Sequence, residues 1–465
     1  MDVSPGGLLV ERRDAEGAGK GLFATQSCPR SSTLFTIPAG AMINLRTLSP
    51  LYPAAGKLLL TANQMITLHL TLHMPREDGV SHDPGWGPYI STLPQDFESH
   101  PVTWAVRNHG GFASPTEEDL LSLLPPTILS ALSGRVRLFM ADWHAICQYT
   151  AAAPNIVSAS SRTDLTSSDF RLENHNLLED CLWAWLNVNT RCIYYQLDSA
   201  TSAPENMTLC PILDFANHRP NNTHIVAVQP TSLFPPTPGS LGKGRHGLGG
   251  DYIFMSSSET PVHKDEELFL RYGSHSNRML LVEYGFGNLW DEGECRDGKF
   301  GGEVDVQDMV EKLFAARGAV GRALKEVLET EGYWGDWTMH SQPVPAHPSY
   351  RLISALRLSQ LAVDESEGEA FERALERWRA VLWGQEEQVS AENEQAWRDA
   401  LLLMCERIAE TATSGMAAVR ERLPRERASG AGWTGWMLGN IERLWREEYE
   451  VAEAVASSVR GGVEF

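Results

Sequence analysis

The hydrophobic period changes several times along this chain, and the changes divide it. Leu8-Leu9-Val10 leads into a glycine-punctuated run at 16–24, and Leu34, Phe35 and Ile37 follow in an extended stretch. Strand, glycine turn, strand is what that pattern predicts. From about 58 to 72, Leu58, Met65, Leu68 and Leu72 fall at helical spacing. Between about 115 and 187 the helical period dominates, through Leu120, Leu121 and Leu124 and later Leu178, Leu182 and Trp185. Strand-like runs return at 192–195, 225–228 and 252–255. A helical insert over about 55–187 thus interrupts a β-rich part.

Residues 230–250 are rich in proline and glycine and read as a mobile surface loop between two strands. Glycines cluster again at 291–302, which reads as a linker. Beyond it the helical period takes over: Phe371, Leu375, Trp378 and Leu382 share one face, as do Trp397, Leu401, Met404 and Ile408. Such stripes are packing surfaces. The pattern predicts an α+β chain with a β-rich part over 1–290 and a helical domain over 303–465.

At 465 residues the chain exceeds what one core supports, consistent with that division. A net charge of -21 argues against a general nucleic-acid binder, because phosphate backbones require a basic face. A basic protein partner is compatible with it. Residues 1–30 carry no basic segment followed by an apolar core, and no run reaches eighteen apolar residues, so neither leader nor membrane span is expected. The expected location is the cytoplasm, the nucleus or both, and the expected state a monomer. Seven scattered cysteines without a CxxC pair read as reduced thiols, and no cysteine-based metal centre is expected. Residues 361–397 hold ten acids against three arginines, a solvated helix surface or a dock for lysine-rich substrates.

The chemistry is concentrated in a few short stretches. Gly17, Gly19 and Gly21 have GxGxG spacing, the following residues are not helical in pattern, and no GKS or GKT occurs, so a dinucleotide or phosphate loop is a weak reading. Asp214-Phe215-Ala216-Asn217-His218 follows an apolar run, and Arg271-Tyr272-Gly273-Ser274-His275-Ser276-Asn277 and Glu283-Tyr284-Gly285-Phe286 come later. Arg191 ends the Asn189-Thr190-Arg191 triplet after Trp183 and Trp185; a guanidinium can bind a carboxylate bidentately.

These stretches, in this order, resemble SET-domain protein methyltransferases of the Rubisco large-subunit methyltransferase type. Trp86-Gly87-Pro88-Tyr89-Ile90 resembles the start of their inserted segment, and 348–358 the opening helix of their substrate-binding domain. The resemblance implies a β-rich SET fold with a threaded-loop core and a helical insert, followed by an all-α substrate-binding domain. It implies S-adenosyl-L-methionine as cofactor, held by Glu16, Gly17, Ala18, Arg191, Asp214, Asn217, His218, Tyr272 and Phe286. Tyr272 would be the active-site tyrosine and Tyr284 would shape the lysine channel, with no metal required. The implied activity is lysine N-methylation of a basic protein such as a ribosomal or histone-like one, and the wording of the motifs is similar to fungal ribosomal-protein lysine methyltransferases. A non-catalytic SET scaffold, or methylation of a histidine or another protein amine, stays open.

Overall fold

A computed structural model describes residues 8–15, 19–76, 78–198, 202–228, 249–288, 301–362, 368–429 and 432–465. Residues 16–18, most of the 230–250 stretch and most of the 291–302 stretch lie outside these. The chain folds as two units, one of residues 1–98 and 134–275, the other of residues 99–133 and 276–465.

In the first unit, β1 (Val10–Ala15) and β2 (Gly19–Ala24) pair antiparallel, with Ala15 opposite Gly19. β3 (Thr33–Ile37), β4 (Ile43–Asn44), β5 (Ile193–Tyr194), β6 (Met207–Leu209), β7 (Ile225–Val228) and β8 (Tyr252–Ser256) make two further antiparallel sheets, ordered β3-β8-β7 and β4-β6-β5. Alternation along β8 buries Tyr252 and Phe254, while an irregular register between Thr33 and Phe35 lets β3 bury Leu34 and Phe35 in succession, with Ile37; the Phe35 and Phe254 rings stack at 4.8 Å. These residues share a core with Leu22, Ala24, Leu213 and Leu268, so the strands rest on the segments that carry the motifs.

Two of the helices that the insert gives this unit position the site. Thr61 and Gln64 form a capping box that starts the helix Ala62–Leu72. Asn174 caps the helix His175–Arg191, which delivers Arg191 at its last position. Asp142 joins the two helices, accepting hydrogen bonds from Asn63 (2.8 Å), Gln64 (2.8 Å) and the Trp185 indole (2.9 Å). A partly buried carboxylate is stable there because its oxygens are met by three donors.

The second unit is α-rich. Its core gathers Trp337, Trp378 and Trp397 with Leu324, Leu352, Leu356 and Leu401 from the helices Gly318–Thr330, Tyr350–Ser359, Gly368–Leu382 and Ala391–Ser429. The two apolar stripes expected at 371–382 and 397–408 pack into this core. It also contains a small antiparallel sheet of β9 (Glu303–Asp305), β10 (Thr338–His340) and β11 (His347–Pro348). Strands of two or three residues are too short to leave an alternation in the sequence, which is why this sheet adds to an expected all-α region.

Candidate active site

Two segments of the first unit, more than fifty residues apart, close on each other. Leu270 N donates to Asn217 O at 2.9 Å and Arg219 N donates to Leu270 O at 3.1 Å, which makes a parallel bridge between His218 and Leu270. Tyr272 then grips the Asn-His segment twice. Its backbone N–H donates to His218 Nδ1 at 3.2 Å, and its hydroxyl donates to Ala216 O at 3.0 Å. The rings of His218 and Tyr272 lie 5.2 Å apart.

Those bonds fix the protonation pattern of the pair. Because His218 Nδ1 accepts, its neutral tautomer carries the proton on Nε2. Burial pulls the His218 pKa down to about 4, with His275 and Arg271 adding to the effect, so the imidazole is neutral near pH 7. The Tyr272 proton is committed to Ala216, and the phenol oxygen therefore offers lone pairs to a further N–H donor.

Asn217 is oriented by its amide. Nδ2 donates to Glu267 Oε1 at 2.7 Å and to Lys20 O at 3.1 Å, which uses both amide protons and leaves Oδ1 as its acceptor. Glu267 is thereby a positioning group that sequence reasoning missed. Ahead of this segment Ile212 has φ of 74°, an uncommon conformation for a β-branched residue, and such strain costs on the order of 1–3 kcal/mol. It sits two positions before Asp214, where the chain turns into the short 3-10 segment Leu213–Phe215.

Asp214 and Arg191 meet beneath the motif. The Asp214 side chain is 1% exposed, and its Oδ2 accepts from the Tyr89 hydroxyl at 3.1 Å. Arg191 Nη1 donates to Asp214 O at 2.8 Å and lies 3.4 Å from Asp214 Oδ2. Burial raises the Asp214 carboxyl pKa, and the Arg191 charge opposes that rise. Burial likewise raises the Tyr89 phenol, with the Asp214 charge adding to it. The arginine expected to grip a cofactor carboxylate therefore spends part of its guanidinium on Asp214.

What it leaves over fits an amino-acid ligand. Arg191 Nε and Asp214 Oδ1 are both buried with no hydrogen-bond partner among the described residues. Orphaned polar atoms of opposite character, close together, call for a ligand bearing a carboxylate and an ammonium. The methionine end of S-adenosylmethionine is such a group.

The remaining expected residues divide between the units and the undescribed stretch. Glu16, Gly17 and Ala18 lie outside the described residues. Tyr284 and Phe286 belong to the second unit, where their rings are 6.1 Å apart at the end of the helix Asn277–Tyr284. Ser276 caps the start of that helix and Gly285, at φ 80°, ends it. Burial raises the Tyr284 phenol, with Glu283 adding to the shift. Tyr89 was legible only as part of the Trp86-Gly87-Pro88-Tyr89-Ile90 stretch; its bond to a residue 125 positions away left no local signal.

No protein-family model matches the chain. It is 26% identical over 282 residues to Ribosomal lysine N-methyltransferase 2 of Saccharomyces cerevisiae, a match covering 58% of this chain and 51% of that protein, about half its length. It is 24% identical over 448 residues to SET domain-containing protein 4 of Homo sapiens, covering 95% of this chain and 86% of the relative. Its fold superposes on the SET domain of LSMT bound to lysine and AdoHcy with a TM-score of 0.56 at 16% identity, covering 97% of this chain and 87% of that one. The likeness reaches over the strands, the insert and the α-rich region together: the fold is that of the SET domain of LSMT, and the sequence is similar to SET-domain lysine methyltransferases.

Proposed function

We propose that this chain is an S-adenosylmethionine-dependent protein-lysine N-methyltransferase acting on a basic protein, in the first place a ribosomal protein. The observation that carries the reading is the grip of Tyr272 on the Asn217-His218 segment, beside the orphaned Arg191 Nε and Asp214 Oδ1. When bound, the cofactor supplies a methyl group already activated by its sulfonium. The chain's own task is to align the partners and exclude water, and alignment can contribute roughly 7–11 kcal/mol.

Arg191 and Asp214 hold the amino-acid end, the first toward its carboxylate and the second toward its ammonium. Asn217 Oδ1 and the neutral His218 line the same site without adding positive charge near the sulfonium. Tyr272 accepts an N–H of the incoming amine through its phenol oxygen and so aims the nitrogen lone pair. Only the neutral amine reacts. A lysine of pKa about 10.4 is neutral roughly once in 2,500 molecules at pH 7, an uphill step of about 4.6 kcal/mol. A channel walled by aromatic groups rather than carboxylates, the role assigned to Tyr284, favours loss of the proton, and Phe286 is assigned to the adenine end of the cofactor. Residues 303–465 act as the substrate-binding domain, and the excess of acids over 361–397 gives a basic protein its docking charge.

Purified protein incubated with cofactor and small- and large-subunit ribosomal proteins should add increments of about 14 Da to a lysine-containing peptide, one per methyl. Stabilisation by cofactor with no methyl transfer to any ribosomal, histone or other lysine-rich protein would instead support a non-catalytic scaffold. The expected location is the cytoplasm, the nucleus or both; no helix of the described residues is long and apolar enough to cross a membrane.

A further inference from the structure

The insert buries a cluster that the methyl-transfer site does not use. His69 lies in the helix Ala62–Leu72 and His73 caps it, so the two imidazoles stand one turn apart on one face. Asp83 comes from the loop that follows. The three side chains are 0%, 10% and 3% exposed.

Their atoms converge on one point. His69 Nε2 is 3.5 Å from Asp83 Oδ2, and His73 Nε2 is 3.7 Å from the same oxygen. Both distances exceed a hydrogen bond, and His69 Nε2 has no hydrogen-bond partner at all among the described residues. A buried imidazole nitrogen with nothing to bind, aimed at a buried carboxylate, is costly unless something lies between them. The three ligand atoms fall within 4.8 Å of one another. Around a tetrahedral zinc with bonds of about 2.0–2.2 Å, ligand atoms stand about 3.4 Å apart, which is close to the two separations seen here.

The surroundings are those of a ligand set. His69 Nδ1 is bonded to the Tyr52 hydroxyl at 2.9 Å, and His73 Nδ1 to Ser161 Oγ at 2.9 Å. Each ring is thus fixed through the nitrogen that faces away from the cluster, as metal-binding histidines are. Asp83 Oδ1 accepts from the backbone N–H groups of Gly85 (2.8 Å) and Trp86, which turns Oδ2 inward.

We propose that His69, His73 and Asp83 bind a zinc ion through the two Nε2 atoms and Oδ2. Two imidazoles and a carboxylate suit zinc among the abundant divalent ions, whereas magnesium and calcium prefer oxygen ligands. The site is separate from the cysteines, whose pattern speaks only against a thiolate centre. Its place in the fold gives it a role: it ties the end of the helix Ala62–Leu72 to the loop that leads into Gly87–Ile90, and Tyr89 on that helix bonds Asp214. The ion would hold Tyr89 in position without touching the reacting groups.

The full chain, purified without a histidine tag, is dialysed against EDTA, reloaded with zinc sulfate, desalted and analysed for metal. About one zinc per chain is expected, with His73→Ala and Asp83→Asn each falling at least tenfold. Cobalt loading of the wild-type chain provides a readout independent of those variants' folding: d–d bands of a four-coordinate site, without thiolate charge-transfer absorption, are expected. Circular dichroism confirms that each chain is folded. A folded wild-type chain that retains less than about a tenth of an equivalent of zinc and gives no cobalt spectrum overturns the proposal. So does uptake that persists in both folded variants, or a cobalt spectrum dominated by thiolate bands.

Discussion

Replacing Tyr272 with phenylalanine removes one oxygen and separates the structural role of the phenol from its chemical one. The hydroxyl donates to Ala216 O at 3.0 Å, and Ala216 is 1% exposed, so its carbonyl cannot recruit water freely after the change. Loss of the bond costs about 0.5–1.5 kcal/mol, and stranding the acceptor raises this to about 1–3 kcal/mol. For a unit of 150–250 residues that corresponds to a fall in melting temperature of about 2–4 °C per kcal/mol. The backbone N–H bond from Tyr272 to His218 Nδ1 does not involve the hydroxyl, so the cofactor side of the site stays assembled and cofactor affinity should change less than threefold, about 0.7 kcal/mol. The turnover number should fall far more, about a hundredfold, because a misaligned amine loses the benefit of proximity. Calorimetry with cofactor, thermal melts and single-turnover transfer measure the three quantities separately. Full turnover in a variant that still binds cofactor would remove Tyr272 from the chemistry.

Three further changes probe other parts of the structure. Gly21→Ala puts a Cβ 2.6 Å from Glu267 Oε1, which pushes that carboxylate off Asn217; a cost of about 1–3 kcal/mol and weakened cofactor binding are expected in titration calorimetry. Gly415→Ala should gain about 1 kcal/mol of helix propensity, yet its Cβ would lie 2.3 Å from the Trp445 ring, which is buried and bonded through Nε1 to Leu123 O at 2.8 Å, so thermal melts should show net destabilisation. Glu447 is buried and its pKa is raised from 4.5 to about 7, mainly by burial, so its protonated form is the one the fold prefers. The stability it contributes is complete below its unfolded pKa and is lost as pH rises through about 7. Glu447→Gln should therefore gain on the wild type between pH 5 and pH 8, by up to about 3 kcal/mol, measured by urea denaturation at both values; a difference independent of pH would refute this.

Segments with locally dense chemistry or a long repeated period are the ones the sequence marks most clearly. Asp214, Asn217, His218 and Tyr272 stand out because their types and order are unusual, and the helical stripes at 371–382 and 397–408 because many residues repeat one period. Groups that act through a distant partner left no such mark. Glu267 sits in an acidic run, Asp265-Glu266-Glu267, that reads as surface charge until the register places one of them on Asn217. Tyr89 meets Asp214 only because the insert folds back, and His69 and His73 are masked by the apolar helix that carries them. The cut at 98/99 and 133/134 crosses the predicted insert, since helical period alone does not tell which core a helix serves.

The bond from Tyr272 to His218 spans 54 residues, and this has a bearing on how the protein is made. During synthesis the first half of the pocket leaves the ribosome well before its counterpart, and nothing nearby in the chain can stand in for the missing partner. Closure over such a separation is slow compared with forming a hairpin, because entropy is lost before any contact rewards it. A nascent chain halted before position 272 would carry Asn217 and His218 without the partner that grips them, so this part of the pocket closes late and in one step.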